Sequence, residues 1–316
     1  MRLRPLALLS TVAMAALLLT GCASGTAPES TAKPTGSADV CSQVAAPGAV
    51  SDSVKVTGEF GKPSEVTFDK KQKVTELQRT VVTEGTGTTI KEGDYISYAM
   101  SAFDSETGKK LGDLGYNEAE LLPQNVLANQ ALAQIIGCAT VGTRVAVALP
   151  AAQTTGAQVY VIDVLADVPT AAWGEQQKPV AGMPEVSLAK NGEPKVTIPK
   201  ADAPTELKIE VLKQGDGPKV ADGDTTLLQY YGVSWADGKT FDSSWKNSEP
   251  ISLPGNAYVP GFVQALAGQK VGSQVLVVIP PKLAYGEDPE AHELGGQTLT
   301  FVIDILATEH VPSAAE

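Results

Sequence analysis

Histidine is the scarcest chemical resource here: only His292 and His310 occur among 316 residues. Two isolated imidazoles, one of them two residues before a proline near the C-terminus, argue against a metalloenzyme and against a Ser-His-Asp hydrolase, and no metal or cofactor is expected. Positive charge is also short. Lys plus Arg number 24 against 36 Asp plus Glu, a formal net charge of −12, which opposes long-range attraction to phosphate backbones and removes nucleic acid from the expected partners. Charged residues are only 19% of the chain, while 21 Pro and 30 Gly accompany 43% hydrophobic residues, a balance that suits a globular, turn-rich protein and not a coiled coil. The length fits two or three domains, each able to bury a core, and excludes a disulfide-stapled miniprotein.

The N-terminus carries an address. Arg2 and Arg4 precede Leu6–Leu19, a stretch dominated by Leu and Ala, too short to span a bilayer comfortably and typical of a signal peptide, expected over residues 1–21. Leu19-Thr20-Gly21-Cys22 follows directly and resembles the bacterial lipobox, which implies lipidation of Cys22; the alternative is an ordinary cleaved signal with an incidental cysteine. Acyl chains on Cys22 would anchor the protein to the outer face of the bacterial cell membrane, an extracytoplasmic location. Residues 22–50 are then expected as the lipidated Cys and a flexible tether, because Ala23–Val40 is mostly Ala, Ser, Thr, Gly and Pro and buries too little surface to offset its ordering entropy. Cys41 and Cys138 are the two cysteines left. In an oxidising compartment they are expected to pair, the alternative being two free, buried thiols.

Beyond the tether one pattern is written twice. Gln78–Gly87 matches Leu207–Gly217, Gly93-Asp94 matches Gly223-Asp224, Thr107–Leu111 matches Asp237–Phe241, and Val141–Val145 matches Val271–Val275, the last three pairs sharing one and the same offset. Between Tyr160–Leu165 and Phe301–Leu306 the offset is larger, so the second copy carries a longer loop before its last strand. Alternating β-branched runs bounded by Gly, Asp and Pro predict short antiparallel strands. Pro260 followed by Gly261–Ala267 and stopped by Gly268 predicts one short helix, with a counterpart near Gln130–Ile136. The fold class is therefore α+β, one short helix covering a mostly antiparallel sheet in each copy. The expected divisions are a first domain over 51–168, a Pro-rich linker over 169–203 read as an extended connector or partly packed strands, and a second domain over 204–310.

Aromatic residues make up only 5% of the chain, yet they concentrate in the second copy. A plain aromatic core would account for the clustering; the order of motifs says more. Tyr230-Tyr231-Gly232, Asp237–Ser244, Val259-Pro260-Gly261-Phe262, Ala284-Tyr285-Gly286 and Leu299-Thr300-Phe301 follow one another in a spacing that closely resembles the FKBP family of peptidyl-prolyl cis-trans isomerases, over essentially all of Glu206–Leu306. The resemblance implies two FKBP-like domains, each a half-wrapped antiparallel sheet around a short helix, with an apolar pocket between them that accepts a prolyl ring. By motif position the catalytic pocket residues are Tyr230, Phe241, Asp242, Val259, Phe262, Tyr285 and Phe301, with Ile251, Tyr258 and Leu294 contributing to substrate binding. The Val259 N–H and the Tyr285 hydroxyl are placed to hold the carbonyls flanking the proline. Asp242 is read as orienting its neighbours, or alternatively as a turn-stabilising residue beside Ser243 and Ser244. Phe262 replaces the usual Trp at the pocket floor, and Ile251 stands where an aromatic is often found, changes that bear on ligand affinity more than on activity.

The first copy departs from this pattern: Met100 stands for Tyr230, Leu111 for Phe241, Gly112 for Asp242, Leu132 for Phe262 and Tyr160 for Phe301, and the stretch carrying Tyr285 is missing. It is expected to be a degenerate, non-catalytic copy, a spacer or binding surface. The function implied is acceleration of Xaa-Pro isomerisation in exported proteins. Its partners would be proline-containing unfolded or exported polypeptides, the membrane through Cys22, and macrolide inhibitors. A non-catalytic chaperone or binding lipoprotein is the alternative, whereas a solute-binding lipoprotein would require alternating βα units that the sequence lacks.

Overall fold

The computed structural model describes residues 39–117, 121–127, 131–247 and 249–310; the expected signal peptide and Cys22 lie outside the described residues. In the first copy the alternating runs form β1 (Lys55–Thr57), β2 (Glu65–Thr67), β3 (Gln78–Thr83), β4 (Tyr95–Asp104), β5 (Lys110–Leu114), β6 (Gln124–Asn125), β7 (Arg144–Leu149) and β8 (Gln158–Val168). They are followed by β9 (Glu175–Gln176), β10 (Glu185–Leu188), β11 (Pro194–Thr197), β12 (Lys208–Gln214), β13 (Thr225–Ser234), β14 (Thr240–Ser243), β15 (Ile251–Pro254), β16 (Gln274–Ile279) and β17 (Leu299–Glu309). The α-helices are α1 (Ala49–Ser53), α2 (Ala131–Ile135) and α3 (Pro260–Leu266).

Two antiparallel sheets result, with the same order. The first runs β3-β7-β8-β4-β5 with β6 on β4, and the second runs β12-β16-β17-β13-β14 with β15 on β13 and β9 added beyond β12. The irregularities repeat as well. Register shifts fall at Val81/Thr83 and Val211/Lys213, at Ser97/Tyr98 and Leu227/Leu228, and at Ala102/Phe103 and Gly232/Val233. Because a bulge is a local choice of one extra residue, three bulges at matching places show that the repeat extends to backbone geometry.

Helix α3 begins where Pro260 supplies a helical φ without a wasted N–H, and Gly268, at φ 75°, follows its end in the left-handed conformation that glycine adopts without penalty. Its buried face, Gly261, Phe262, Ala265 and Leu266, packs on the second sheet. Gly261 permits the approach: a β-carbon there would sit 2.4 Å from Ile279 Cγ2. Val275, Val277, Ile279, Leu299, Ile303 and Ile305 supply the sheet side of this core.

Three boundaries expected from the sequence move. The tether does not extend to residue 50: Val40 and Val50 are buried, the Ala45 N–H donates to the Gln134 carbonyl and the Arg79 N–H to the Ala46 carbonyl. Residues 39–50 gain enough apolar burial and hydrogen bonding to be ordered. Residues 169–203, read as an extended connector or partly packed strands, take the second form. They carry β9, which pairs with β12, and the β10–β11 hairpin. The second sheet therefore starts before residue 204. That hairpin has a counterpart in β1–β2, where Lys55 faces Thr67 just as Glu185 faces Thr197, at the same offset as the sequence motifs. Val56 and Val66 of β1–β2 pack with Phe103, Val159 and Val161 on the first sheet. In the second sheet β16 is buried along its whole length instead of alternating.

A buried aspartate ties a neighbouring segment to each sheet. Asp163 of β8 takes a two-pronged ion pair from Arg144, with Nη2 to Oδ2 at 2.7 Å, and accepts the Gly61 N–H; Arg144 also donates to the carbonyls of Gly58 and Glu59 in the turn of the β1–β2 hairpin. At the matching place of the second sheet, Asp304 accepts from Gln274 Nε2 at 2.7 Å and from the Ala172 N–H at 2.8 Å. Cys41 and Cys138 are joined by a disulfide that fixes the turn at Val40–Gln43 beside α2.

Candidate active site

The site is assembled from four strands, one helix and one loop. Phe262, on the first turn of α3, is 1% exposed and forms the floor. Phe301 of β17 meets it edge to face at 5.2 Å, and Phe241 of β14 meets Phe301 in the same manner at 5.4 Å. Tyr230 of β13 closes the group at 6.4 Å from Phe262 and 6.3 Å from Phe301. Three of the four contacts are near-perpendicular, which places positive ring edges on negative ring faces, and the Tyr230–Phe301 pair is tilted at 57°. Ile251, Tyr258, Val259 and Leu294, all partly buried, pack around the same core.

Gly232 makes the crowding tolerable. It stands next to both rings, and a β-carbon on it would lie 2.7 Å from Phe241 Cζ and 3.0 Å from Phe301 Cε1.

Polar groups sit at the rim. The Tyr230 hydroxyl donates to Asp242 Oδ2 in a short hydrogen bond, and Asp242 Oδ1 accepts the Ser243 N–H at 2.8 Å. Asp242 thus holds the Tyr230 hydroxyl with one oxygen and the backbone of Ser243 with the other. Burial, then the hydrogen bond to and charge of Asp242, and then Tyr285 push the Tyr230 phenol well above its ordinary pKa, so it stays protonated and can donate. The backbone of Tyr230 is held by Ser244 Oγ, which accepts its N–H at 2.9 Å. Val259 precedes α3, and its carbonyl accepts the Phe262 and Val263 N–H groups, while its own N–H has no backbone partner among the described residues.

Tyr285 lies outside the ring cluster, on the loop that only the second copy possesses, and is 39% exposed. Its ring is stacked on His292 at 4.1 Å with planes 3° apart. His292 Nδ1 accepts the Leu294 N–H at 3.0 Å, so one imidazole links two of the residues singled out from the sequence. Sequence reasoning passed over His292 in this role, although its place in the extra loop was a usable signal. It also missed that Tyr258 lies flat on the back of Phe262, with centroids 4.1 Å apart and planes 11° apart. Stacked on Phe262, Tyr258 adds a second ring at the position where the resemblance has Phe262 replacing the usual Trp.

The first sheet builds no such group. Met100 and Tyr160 pack with Val145, Val147 and Ile162, Leu111 is 45% exposed, and the Tyr160 hydroxyl is satisfied by Gln158. None of the ring contacts found among the described residues falls within this sheet's counterpart positions.

A cluster of aromatic rings set mostly edge to face, with few polar groups at its edge, suits a small apolar ring flanked by hydrogen-bonding carbonyls. Comparison with known proteins agrees in place and kind. Residues 217–306 match the family described as FKBP-type peptidyl-prolyl cis-trans isomerase. The probable FK506-binding protein of Corynebacterium glutamicum is 34% identical over 114 residues, covering 36% of this chain and 97% of that protein. The FK506-binding protein of Streptomyces anulatus is 35% identical over 118 residues, 36% of this chain and 95% of that protein. The FKBP-type peptidyl-prolyl cis-trans isomerase FkpA of Escherichia coli strain K12 is 34% identical over 110 residues, which span 35% of this chain and 40% of that protein. With 97% and 95% of two relatives covered, and residues 217–306 matching the family itself, the chain belongs to the FKBP-type peptidyl-prolyl cis-trans isomerase family.

Proposed function

We propose that the aromatic pocket of the second sheet isomerises Xaa-Pro bonds in exported polypeptides, at the outer face of the membrane where a lipidated Cys22 holds the chain. The observation that carries this reading is the box of Tyr230, Phe241, Phe262 and Phe301 with Asp242 fixing the Tyr230 hydroxyl. Rotation about a peptide bond has a barrier of about 18–20 kcal/mol set by lost resonance, and lowering it requires neither a nucleophile nor a proton transfer. The twisted amide has less charge separation than the planar one. A dry aromatic box therefore favours the twisted form relative to water, and each step of about 1.4 kcal/mol in that preference is worth about tenfold in rate. The Val259 N–H and the Tyr285 hydroxyl would hold the flanking carbonyls while the prolyl ring stays on Phe262. Uncatalysed prolyl isomerisation takes tens to hundreds of seconds, slow enough to limit folding outside the cytoplasm. Macrolides would occupy the same box, with affinity tempered by Phe262 and Ile251.

The test is isomerisation of a short Xaa-Pro peptide by the soluble chain lacking residues 1–22, beside Tyr285→Phe and Phe301→Ala. The expected result is a rate above background that both substitutions depress in folded protein. No rate from well-folded wild-type protein would overturn catalysis and favour a non-catalytic binding lipoprotein. Retention of the protein in the membrane fraction, lost on Cys22→Ser, tests the anchor.

A further inference from the structure

We propose that Tyr95, in the first sheet, is a positioning residue for the pocket of the second, so that the first copy serves as a fixed buttress for the site it cannot itself form. Tyr95 opens β4 and is buried, and its hydroxyl donates to the carbonyl of Pro250 across a sequence separation of 155 residues, at 3.3 Å. Pro250 is itself buried, and the next residue is Ile251, the pocket-wall residue that opens β15. The tyrosine ring continues the contact. It clusters with Leu122 of the first copy and with Leu227 and Leu306 of the second, against which Val168 and Ala307 also pack. Leu227 lies opposite Ser252 in the β13–β15 ladder, and Ala307 lies opposite Leu227 in the β13–β17 ladder. The first copy thus grips the strand pair from which Ile251 projects.

The grip has a mechanical reason to matter. β15 is only four residues long and pairs with β13 alone, so one short ladder and the Tyr95 contact fix where Ile251 stands. The repeat also singles out this side chain. At the matching place, the head of β13, the second copy has Thr225, which leaves the aromatic ring a feature of the contact and not of the shared fold. A wall held by its neighbour positions substrate instead of stabilising the twisted bond, so its loss should be read in KM.

This inference rests on the pocket being the prolyl site, and the experiment separates the two. In the full chain, isomerisation is measured for wild type, Tyr95→Ala, Tyr95→Phe, Ile251→Ala and the double variant Tyr95→Ala with Ile251→Ala. Tyr95→Ala should raise KM about three- to tenfold with kcat within about twofold, Tyr95→Phe should recover most of the loss, and the double variant should be no worse than Ile251→Ala alone. A merely structural tyrosine would lower kcat with the folded fraction and leave KM unchanged, which would overturn the proposal, as would additive losses in the double variant. Amide exchange along Ile251–Pro254 gives a readout independent of turnover: it should quicken in Tyr95→Ala, and unchanged protection there overturns the buttress. An inactive wild type sinks the isomerase reading and leaves exchange to decide this one.

Discussion

Gly232 and Phe241 share a space that admits no extra atom: a β-carbon on the glycine would lie 2.7 Å from Phe241 Cζ. The matching residue of the first copy is Ala102, which faces Gly112 on β5. The room for an aromatic box is thus decided by a residue that takes no part in chemistry, and in the first copy that room is both filled and unneeded.

Gly232→Ala should therefore push Phe241 and Phe301 off their edge-to-face contact. Overpacking of this kind costs about 1–3 kcal/mol, and the expected loss in kcat/KM is about tenfold, since the rings that define the box must shift. Chemical denaturation and peptide isomerisation check the two parts. Wild-type activity in the variant would show that the box tolerates a looser geometry.

A second prediction concerns pH. Burial pushes the Asp304 carboxyl above its ordinary range, opposed by the hydrogen bonds from Ala172 and Gln274 and by Lys213. A folded-state pKa above the unfolded one means that the folded protein holds the proton more tightly. The associated stability is full below the ordinary aspartate range, near about pH 4, and is lost as pH rises through the raised value. Asp304→Asn removes that titration. The stability difference between variant and wild type should then shift in favour of the variant as pH rises above about 4, measured by denaturant midpoints. A constant difference, or one of opposite sign, would contradict the assignment.

The third prediction is a boundary. A fragment of residues 204–310 lacks β9, the Ala172 N–H on Asp304 and the Ala201 carbonyl that accepts Trp235 Nε1. Leaving a buried carboxylate short of a donor costs about 1.5–3 kcal/mol, so a fragment of 169–310 should be more stable by about that much, read as a higher denaturant midpoint. Equal midpoints would mean that the segment only lies alongside the sheet.

Much of this was legible beforehand for a physical reason. Helix α3 is marked by Pro260 and Gly268, and the ring residues by the order of motifs that resembles the FKBP family. The β1–β2 and β10–β11 hairpins were not. Their strands are three or four residues long, and only Val56, Val66, Val186 and Val196 mark them, too few positions to stand out from Pro-rich surroundings. The exchange of Arg144 for Gln274 opposite a buried aspartate could not be read either, since it depends on which strands become neighbours. Tyr95 on Pro250 is illegible for the same reason, being a contact across 155 residues.

The hairpin that accompanies each sheet carries a historical consequence. What was copied was a unit of hairpin and sheet together, and in the first copy that hairpin is fastened to its sheet through Val56 and Val66. The loop bearing Tyr285 hangs outside that fastening, so it could be gained or lost without unlatching the sheet beneath. In such an arrangement one copy is free to drift away from catalysis while remaining a sound piece of architecture.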